Sequence, residues 1–491
     1  MASAPGESLI GKFLVLRGAA RELWLILAAK VLTITAYALV GTSTLGLWLS
    51  ADLKLSDEGA GLVIAGWSSA LTIFTVMVGS LVDAIGIRRS LLIGFGLCVL
   101  ARTTLSFATS PWLALLLGLL PLALGEALQT PVMVAAVKRF STTRQRSIAY
   151  SIYYSMMNVG FAVAAWTFDR VRAGLGEHGS LTLPGTGVTI STYQTIMLLG
   201  LGFTLPNLLI TYFGLREGVE ATETGVRVTE VPSPYPGVAL PRAFVLSCRD
   251  ALRDWLRIFG RLWTQPAFYR FLAFFGLVVF VKLILYHMYY TFPKFGLREL
   301  GPGAPIGHVF GLLNATIVIV LAPLVGALTQ RVSAYRAVVI GTAIAAGSVF
   351  FLAVPPVHFA WLADGWLGEL VGHTWLGLPG PVPPLLVAIV LCVVVYSVGE
   401  ACYSPRLYEY PAAIAPRGQE GSYLALSLLP YFFAKFVVGS LSGFLLARWC
   451  PAEGPRQSHL IWLVVGGMAV LTPLGLVAFR RWLQLPESGR E

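Results

Sequence analysis

About twelve apolar stretches follow one another along this chain, each close to the roughly 20 residues that a helix needs to cross a bilayer. The expected spans are 23–49, 60–82, 90–109, 112–136, 147–168 and 194–214, then 268–291, 306–329, 336–354, 384–413, 421–447 and 459–481. Hydrophobic residues make up 56% of the chain and charged residues 12%, with a mean hydropathy of +0.75, which excludes the balance of a soluble globular protein. The stretches are continuously apolar where barrel strands would alternate, and backbone groups in lipid must be satisfied within each segment. The expected fold class is therefore an all-α membrane protein of about 12 transmembrane helices.

Charge in the short loops sets the expected orientation. Arg88 and Arg89, then Lys138, Arg139, Arg144 and Arg146, then Arg331 and Arg336 fall on one side if the spans alternate, and the opposite loops carry few basic residues. That side should be cytoplasmic, which places both termini inside a cell (inner) membrane. The formal charge of +11 is then mostly topological and gives no reason to expect a nucleic-acid partner. The opening residues, "MASAPGESLIGKFLVLRGAARELW", are polar and basic and lack the pattern of a cleavable signal. Cys98, Cys248, Cys392, Cys402 and Cys450 show no metal-like spacing and read as small packing residues.

Three regions follow from these patterns: an N-terminal bundle (1–214), a cytoplasmic linker (215–266) and a C-terminal bundle (267–491). In the linker, "PSPYPG" supplies chain breakers, and Arg249, Arg253, Arg257 and Arg261 recur every fourth residue. That spacing draws a basic stripe along one helix face, suited to anionic headgroups. Residues 355–383 read as an external excursion punctuated by Gly and Pro, without identifiable chemistry.

A repeat relates the two bundles. "GEALQTP" (125–131) and "GEACYSP" (399–405) place a Gly-Glu pair, a hydroxyl and a proline at matching positions, so that Glu126 corresponds to Glu400 and Pro131 to Pro405. "GSLVD" (79–83) echoes "GALTQ" (326–330), and Lys30 with Tyr37 matches Lys282 with Tyr289, each pair seven residues apart. Two pseudo-symmetric six-helix bundles are implied, the arrangement of a transporter that rocks around a midplane site.

The stretch "GSLVDAIGIRRS" resembles the loop motif of the major facilitator superfamily, on Gly79, Asp83, Gly86, Arg88 and Arg89. The resemblance implies glycines that permit close helix approach and a cytoplasmic latch made by the acid and the arginines. Within that superfamily the chain is similar to the proton-coupled oligopeptide transporters. "LWLSADLKLSDEGAGLV", "YSIYYSMMNVG" (150–160), "LLNATIVIVLAP" (312–323) and "GEACYSPRLYEYPAAIAP" (399–416) carry the similarity. It implies that Glu400 meets a substrate amino group and that Asn158 and Asn314 bond to the substrate backbone. The family's usual first-helix glutamate and arginine motif is missing, since "LILAAKVLTITAYALV" offers only Lys30 and Tyr37. Thr130 stands where a lysine is usual, Glu126 where an amide is commoner, and Met157 where isoleucine is usual.

Ionisable groups inside a bilayer are functional candidates by default. Lys30, Arg102, Glu126, Lys282, His287, Glu400 and Lys435 form that set here. Glu126, Glu400 and His287 are the candidates for proton coupling. Glu400, Asn158, Asn314, Tyr37, Lys30, Lys282, Tyr154 and Tyr289 are the candidates for substrate binding, with Lys30 and Lys282 placed to clamp a carboxylate. Either glutamate has a quieter role open to it, as the ion-pair partner of a Lys on another helix, holding the bundle together. Pro131 and Pro405 are candidate bending points beside the two acids.

The expected function is proton-coupled secondary transport of a small organic solute by alternating access, most simply a peptide or amino-acid-like zwitterion. An organic anion or drug-like solute is the alternative, and a receptor or lipid scramblase on the same fold stands further off. No Gly-rich phosphate loop, metal cluster or nucleophile with a spaced base appears, so no enzyme activity is expected. The expectations are a proton gradient instead of a cofactor, partners limited to the solute and membrane lipids, and a monomeric protein.

Overall fold

The computed structural model describes residues 15–78, 86–142, 145–222, 225–228, scattered positions within 235–260, and residues 266–328, 332–414 and 429–483. It is almost wholly helical. In the first half the main helices are α1 (Arg21–Gly41), α2 (Thr44–Ala51), α3 (Asp57–Val78), α4 (Ile87–Phe107), α5 (Leu120–Ala127), α6 (Thr130–Arg139), α7 (Arg146–Leu175) and α8 (Thr192–Leu209). The second half holds α9 (Pro266–Tyr290), α10 (Phe292–Leu300), α11 (Leu313–Leu328), α12 (Ala334–Ser348), α13 (Pro384–Ile414), α14 (Leu429–Trp449) and α15 (His459–Ala478).

Ten helical stretches among the described residues are long and apolar enough to cross a membrane. The second and eighth expected spans correspond to α3 and to the helix that runs from Gly307 into α11. Two antiparallel hairpins, Ser180–Thr182 with Thr189–Ser191 and Val219–Thr222 with Gly225–Val228, went unread in the sequence because each strand has only three or four residues. Residues 421–428 of the eleventh expected span lie outside the described residues, as do Arg257 and Arg261 of the basic stripe.

By contacts the chain forms two compact units. The first comprises 1–40, 70–164 and 197–257, and the second 41–69, 165–196 and 258–491. The boundaries fall at the last residue of α1 and inside α3, α7 and α8, so the second unit contains the ends of several first-half helices.

The repeated Gly-Glu pair has a packing reason that recurs in each unit. In the first, Gly125 of α5 lies against α4, where an added Cβ would sit 2.7 Å from Cys98 Sγ and 2.8 Å from the Gly94 carbonyl oxygen. In the second, Gly399 of α13 lies against α12, where a Cβ would sit 2.6 Å from the Ala345 nitrogen and 2.7 Å from the Gly341 carbonyl oxygen. Only glycine lets these backbones approach so closely, as in small-residue contacts between membrane helices. Gly125→Ala is therefore expected to cost about 1–3 kcal/mol through overpacking, read as a lower melting temperature of the purified protein.

The two prolines differ. The helix of the fourth span breaks at Leu128–Gln129 and restarts as α6 with Pro131 in its first turn, whereas α13 is helical throughout its 31 residues, Pro405 included. A proline in a first turn gives up no intrahelical hydrogen bond, so the break at Pro131 is unstrained.

Candidate functional site

Each glutamate follows its contact glycine by one position and is therefore turned about 100° around the helix from the packed face. What it meets is decided by the opposing helix. On α4, Gly94, Cys98 and Arg102 are spaced by four and form one stripe. With Cys98 against Gly125, the next turn brings the Arg102 guanidinium to Glu126: Nη2 donates to Oε1 at 2.7 Å, and Nη1 donates to the Thr204 hydroxyl at 3.1 Å. The side chains are 1% and 4% exposed, so this is a buried intramembrane ion pair. The corresponding stripe is Gly341 and Ala345 on α12 and Val349 just past its end, with buried Val349 where the first half has its arginine.

Glu400 consequently has a different setting. Its Oε2 accepts from Asn314 Nδ2 at 3.0 Å, and the same amide donates to the Ser397 hydroxyl at 2.9 Å. Lys282 of α9 reaches α13 one turn beyond Glu400: its Nζ donates to the Ser404 hydroxyl at 3.0 Å and lies 4.7 Å from the centre of the Tyr403 ring. Glu400, Asn314 and Lys282, selected from sequence, thus converge in the second unit. Half-buried Tyr289 sits edge-on to Phe310 at 5.8 Å. His287 is fully buried, its Nδ1 2.7 Å from the Thr291 hydroxyl, which bonds to Ser442. Lys435 lies 5.9 Å from the centre of the Tyr286 ring.

In the first unit Lys30 is 1% exposed, with Nζ 4.6 Å from the centre of the Tyr153 ring, a buried cation–π contact. No carboxylate pairs with it among the described residues. Asn158 donates to the Tyr154 carbonyl at 3.1 Å on its own helix, which occupies one of its amide hydrogens. Tyr37 and Tyr154 are half-buried.

Of the loop motif, Gly79 and Asp83 lie outside the described residues. Gly86 has φ +85°, and a Cβ there would overlap the Glu217 carboxylate. Arg88 donates to the Tyr212 carbonyl at 2.7 Å, and Arg89 is exposed. Burial pushes the Glu217 carboxyl up, against the pull of Arg89, Arg88 and Arg139. Glu217 is therefore an acid facing this arginine pair that the sequence did not single out.

Two further polar clusters escaped sequence reading, both inside the second unit. Asp57, at the start of α3, accepts from Lys294 at 2.8 Å and from both terminal nitrogens of Arg298 at 2.8 and 2.9 Å; Lys294 also donates to Ser50 at 2.6 Å. Burial raises the Asp57 carboxyl, but the Arg298 hydrogen bonds and the two positive charges outweigh it and hold the group below its ordinary value. The second cluster surrounds Arg172, which donates to Asp169 at 2.9 Å, to both oxygens of Glu177 and to the Ala304 carbonyl at 3.1 Å. Asp169 in turn accepts the Gly307 and His308 backbone N–H groups at 3.1 and 2.7 Å and faces His308 Nδ1 at 2.6 Å. It caps the N-terminus of the helix that continues as α11. Close backbone approaches accompany both clusters: a Cβ on Gly61 would lie 2.6 Å from the Gly439 carbonyl oxygen, and one on Gly307 2.6 Å from that of Ala165.

The described chain is thus a multi-pass helical membrane protein with a buried ion pair inside its spans. Residues 25–367 match the profile of the Major Facilitator Superfamily, and the chain belongs to that superfamily. The Escherichia coli (strain K12) protein named "Putative metabolite transport protein YaaU" is 26% identical over 150 residues, 30% of this chain; the match spans about a third (34%) of that relative's length. Among solved structures the chain is similar to a POT family transporter in complex with 5-aminolevulinic acid (TM-score 0.68, 13% identity, 95% of this chain and 97% of that one). A POT family transporter in complex with a thioalcohol-conjugated peptide gives TM-score 0.68 at 13% identity over 96% of this chain and 100% of that one. The nucleoside transporter NupG gives 0.60 at 15% identity over 92% and 99%. At such identities the likeness is one of fold.

Proposed function

We propose that the protein is a proton-driven secondary transporter of small organic solutes, taking peptides or amino-acid-like zwitterions by alternating access. The observation that carries this reading is the paired site of the second unit: the Glu400 carboxylate oriented by Asn314, and the Lys282 ammonium beside Ser404 and Tyr403. A carboxylate and an ammonium held on neighbouring turns of α13, one by Asn314 and the other by Ser404, suit a solute bearing both charges, its amine on Glu400 and its acid on Lys282. A POT relative of this fold holding an amino acid ligand supports the same substrate class. Glu400 is the group that exchanges a proton as solute enters and leaves, because solute binding replaces one neighbour of its charge by another. The protein works in an inner membrane with its termini in the cytoplasm.

Buried Lys30, facing Tyr153 with no carboxylate pairing among the described residues, favours one second reading, an organic anion. Both readings are tested on the purified protein by thermal shift with dialanine and with simple carboxylates, and by gradient-driven dialanine uptake into proteoliposomes. Glu400→Gln should abolish the dialanine shift and uptake while leaving carboxylate shifts intact. Equal loss of both ligands removes Glu400 as the amine site. No dialanine response in the unaltered protein, together with a carboxylate shift lost in Lys30→Met, replaces the zwitterion by an anion.

A further inference from the structure

The excursion between the spans ending at Ala353 and beginning at Pro384 is a compact helical cap. Helical turns at Pro356–Phe359 and Ala360–Ala363 lead into a second helical run, Trp366–Trp375. Its inner side is closely packed: the Phe359 ring lies tilted against Phe351 at 6.2 Å, a Cβ on Gly368 would collide with the Ala363 carbonyl, and one on Gly372 would collide with Val382. His373 Nδ1 lies 2.9 Å from the Leu378 carbonyl oxygen, tying the second run to the returning chain.

The outer side is apolar. Trp361 and Trp366 are 71% and 74% exposed, and Val357 and Leu370 are exposed with them. Val357 and Trp361 are four residues apart, as are Trp366 and Leu370, so each helical run presents one apolar stripe carrying a tryptophan. Because the inner side is fixed by backbone contacts, these side chains are held outward.

We propose that this cap is a membrane-interface anchor whose two tryptophans sit among the lipid headgroups beside the ninth and tenth spans. Three observations select lipid as the occupant. Both ends of the segment run directly into membrane spans, so the cap cannot leave the bilayer boundary. Its exposed apolar atoms come mainly from tryptophan, whose amphipathic ring is favoured at that depth, interleaved with polar His358, Asp364, Glu369 and His373. Residues 355–383 contain no Lys or Arg, so the contact rests on apolar and indole interactions and has no preference for anionic lipid.

The test compares tryptophan fluorescence of the full-length protein in phosphatidylcholine nanodiscs with that of Trp361→Phe/Trp366→Phe. The difference between them isolates the two side chains. Lipid brominated near the headgroup should quench this difference component strongly, lipid brominated near the chain end should quench it weakly, and aqueous iodide should leave it unchanged. Adding phosphatidylglycerol should not alter the quenching. A component quenched by iodide and untouched by brominated lipid puts the face in water and overturns the proposal. Shielding from both quenchers with two protein copies per nanodisc shows a second copy on the face and also overturns it. If the double variant does not fold, the single Phe variants give the same readout one side chain at a time.

Discussion

Glu126→Gln is expected to destabilise the protein by about 3–5 kcal/mol, because it strands the Arg102 guanidinium in a buried intramembrane site. Arg102→Met should cost a similar amount by stranding Glu126. The double variant Arg102→Met/Glu126→Gln leaves no uncompensated charge and should be more stable than either single one, a coupling visible in a double-mutant cycle of melting temperatures. The same variants decide what Glu126 does. If Glu126→Gln melts like the unaltered protein but loses gradient-driven uptake, the glutamate is the coupling acid and the pair is not structural. If stability falls and the double variant recovers both stability and uptake, the pair holds helices together and coupling belongs to Glu400.

The second large effect is expected at Arg172. Arg172→Met leaves Asp169 and Glu177 as two buried carboxylates without their shared cation, again a loss of about 3–5 kcal/mol. Arg172→Lys should recover only part of it, since an ammonium cannot make the forked contact with Glu177. The pH profile gives an independent check. Burial raises the Glu177 carboxyl, but the Arg172 hydrogen bond and charge, with help from Tyr193 and the Gly303 N–H, bring it below its ordinary value. A carboxyl depressed in the folded state adds stability that is fully present above its unfolded pKa and is lost as pH falls through the folded one. Melting temperature should therefore hold from neutral pH down into the ordinary carboxylate range and drop below it. In Arg172→Met burial acts on Glu177 without the opposing cation, so this acid-side loss should disappear. An unchanged profile in that variant would show that Arg172 does not set the acid limit of stability through Glu177.

How much of this was legible in the sequence depended on the range of the interaction. The ten long apolar helices were legible because each is a local apolar run, and the Gly-Glu repeat was legible as two matched positions. The partner of Glu126 did not, although Arg102 was recognised as an intramembrane charge: pairing them requires the register of α4 against α5, which is set by the contact of Gly125 with Cys98 and Gly94. Once that register is known, the stripes Gly94–Cys98–Arg102 and Gly341–Ala345–Val349 explain why the repeated glutamates diverge. Lys294 and Arg298 carry a readable signal, two cations one helical turn apart just beyond a span, but nothing nearby names Asp57 as their acceptor. The tryptophans of the 355–383 cap were hidden by its Gly and Pro content, which suggested an irregular loop.

The cap that Asp169 provides has a consequence for how the chain is made. The helix beginning at Gly307 takes its terminal carboxylate from a residue 138 positions earlier, not from its own flanking sequence. During synthesis the acceptor is finished first and waits, while the amide groups that need it emerge much later. The second half made alone would carry that helix end with two backbone N–H groups lacking this carboxylate. Co-expressed halves should restore it, so the protein's two lengths of chain are partners in biogenesis before they are partners in transport.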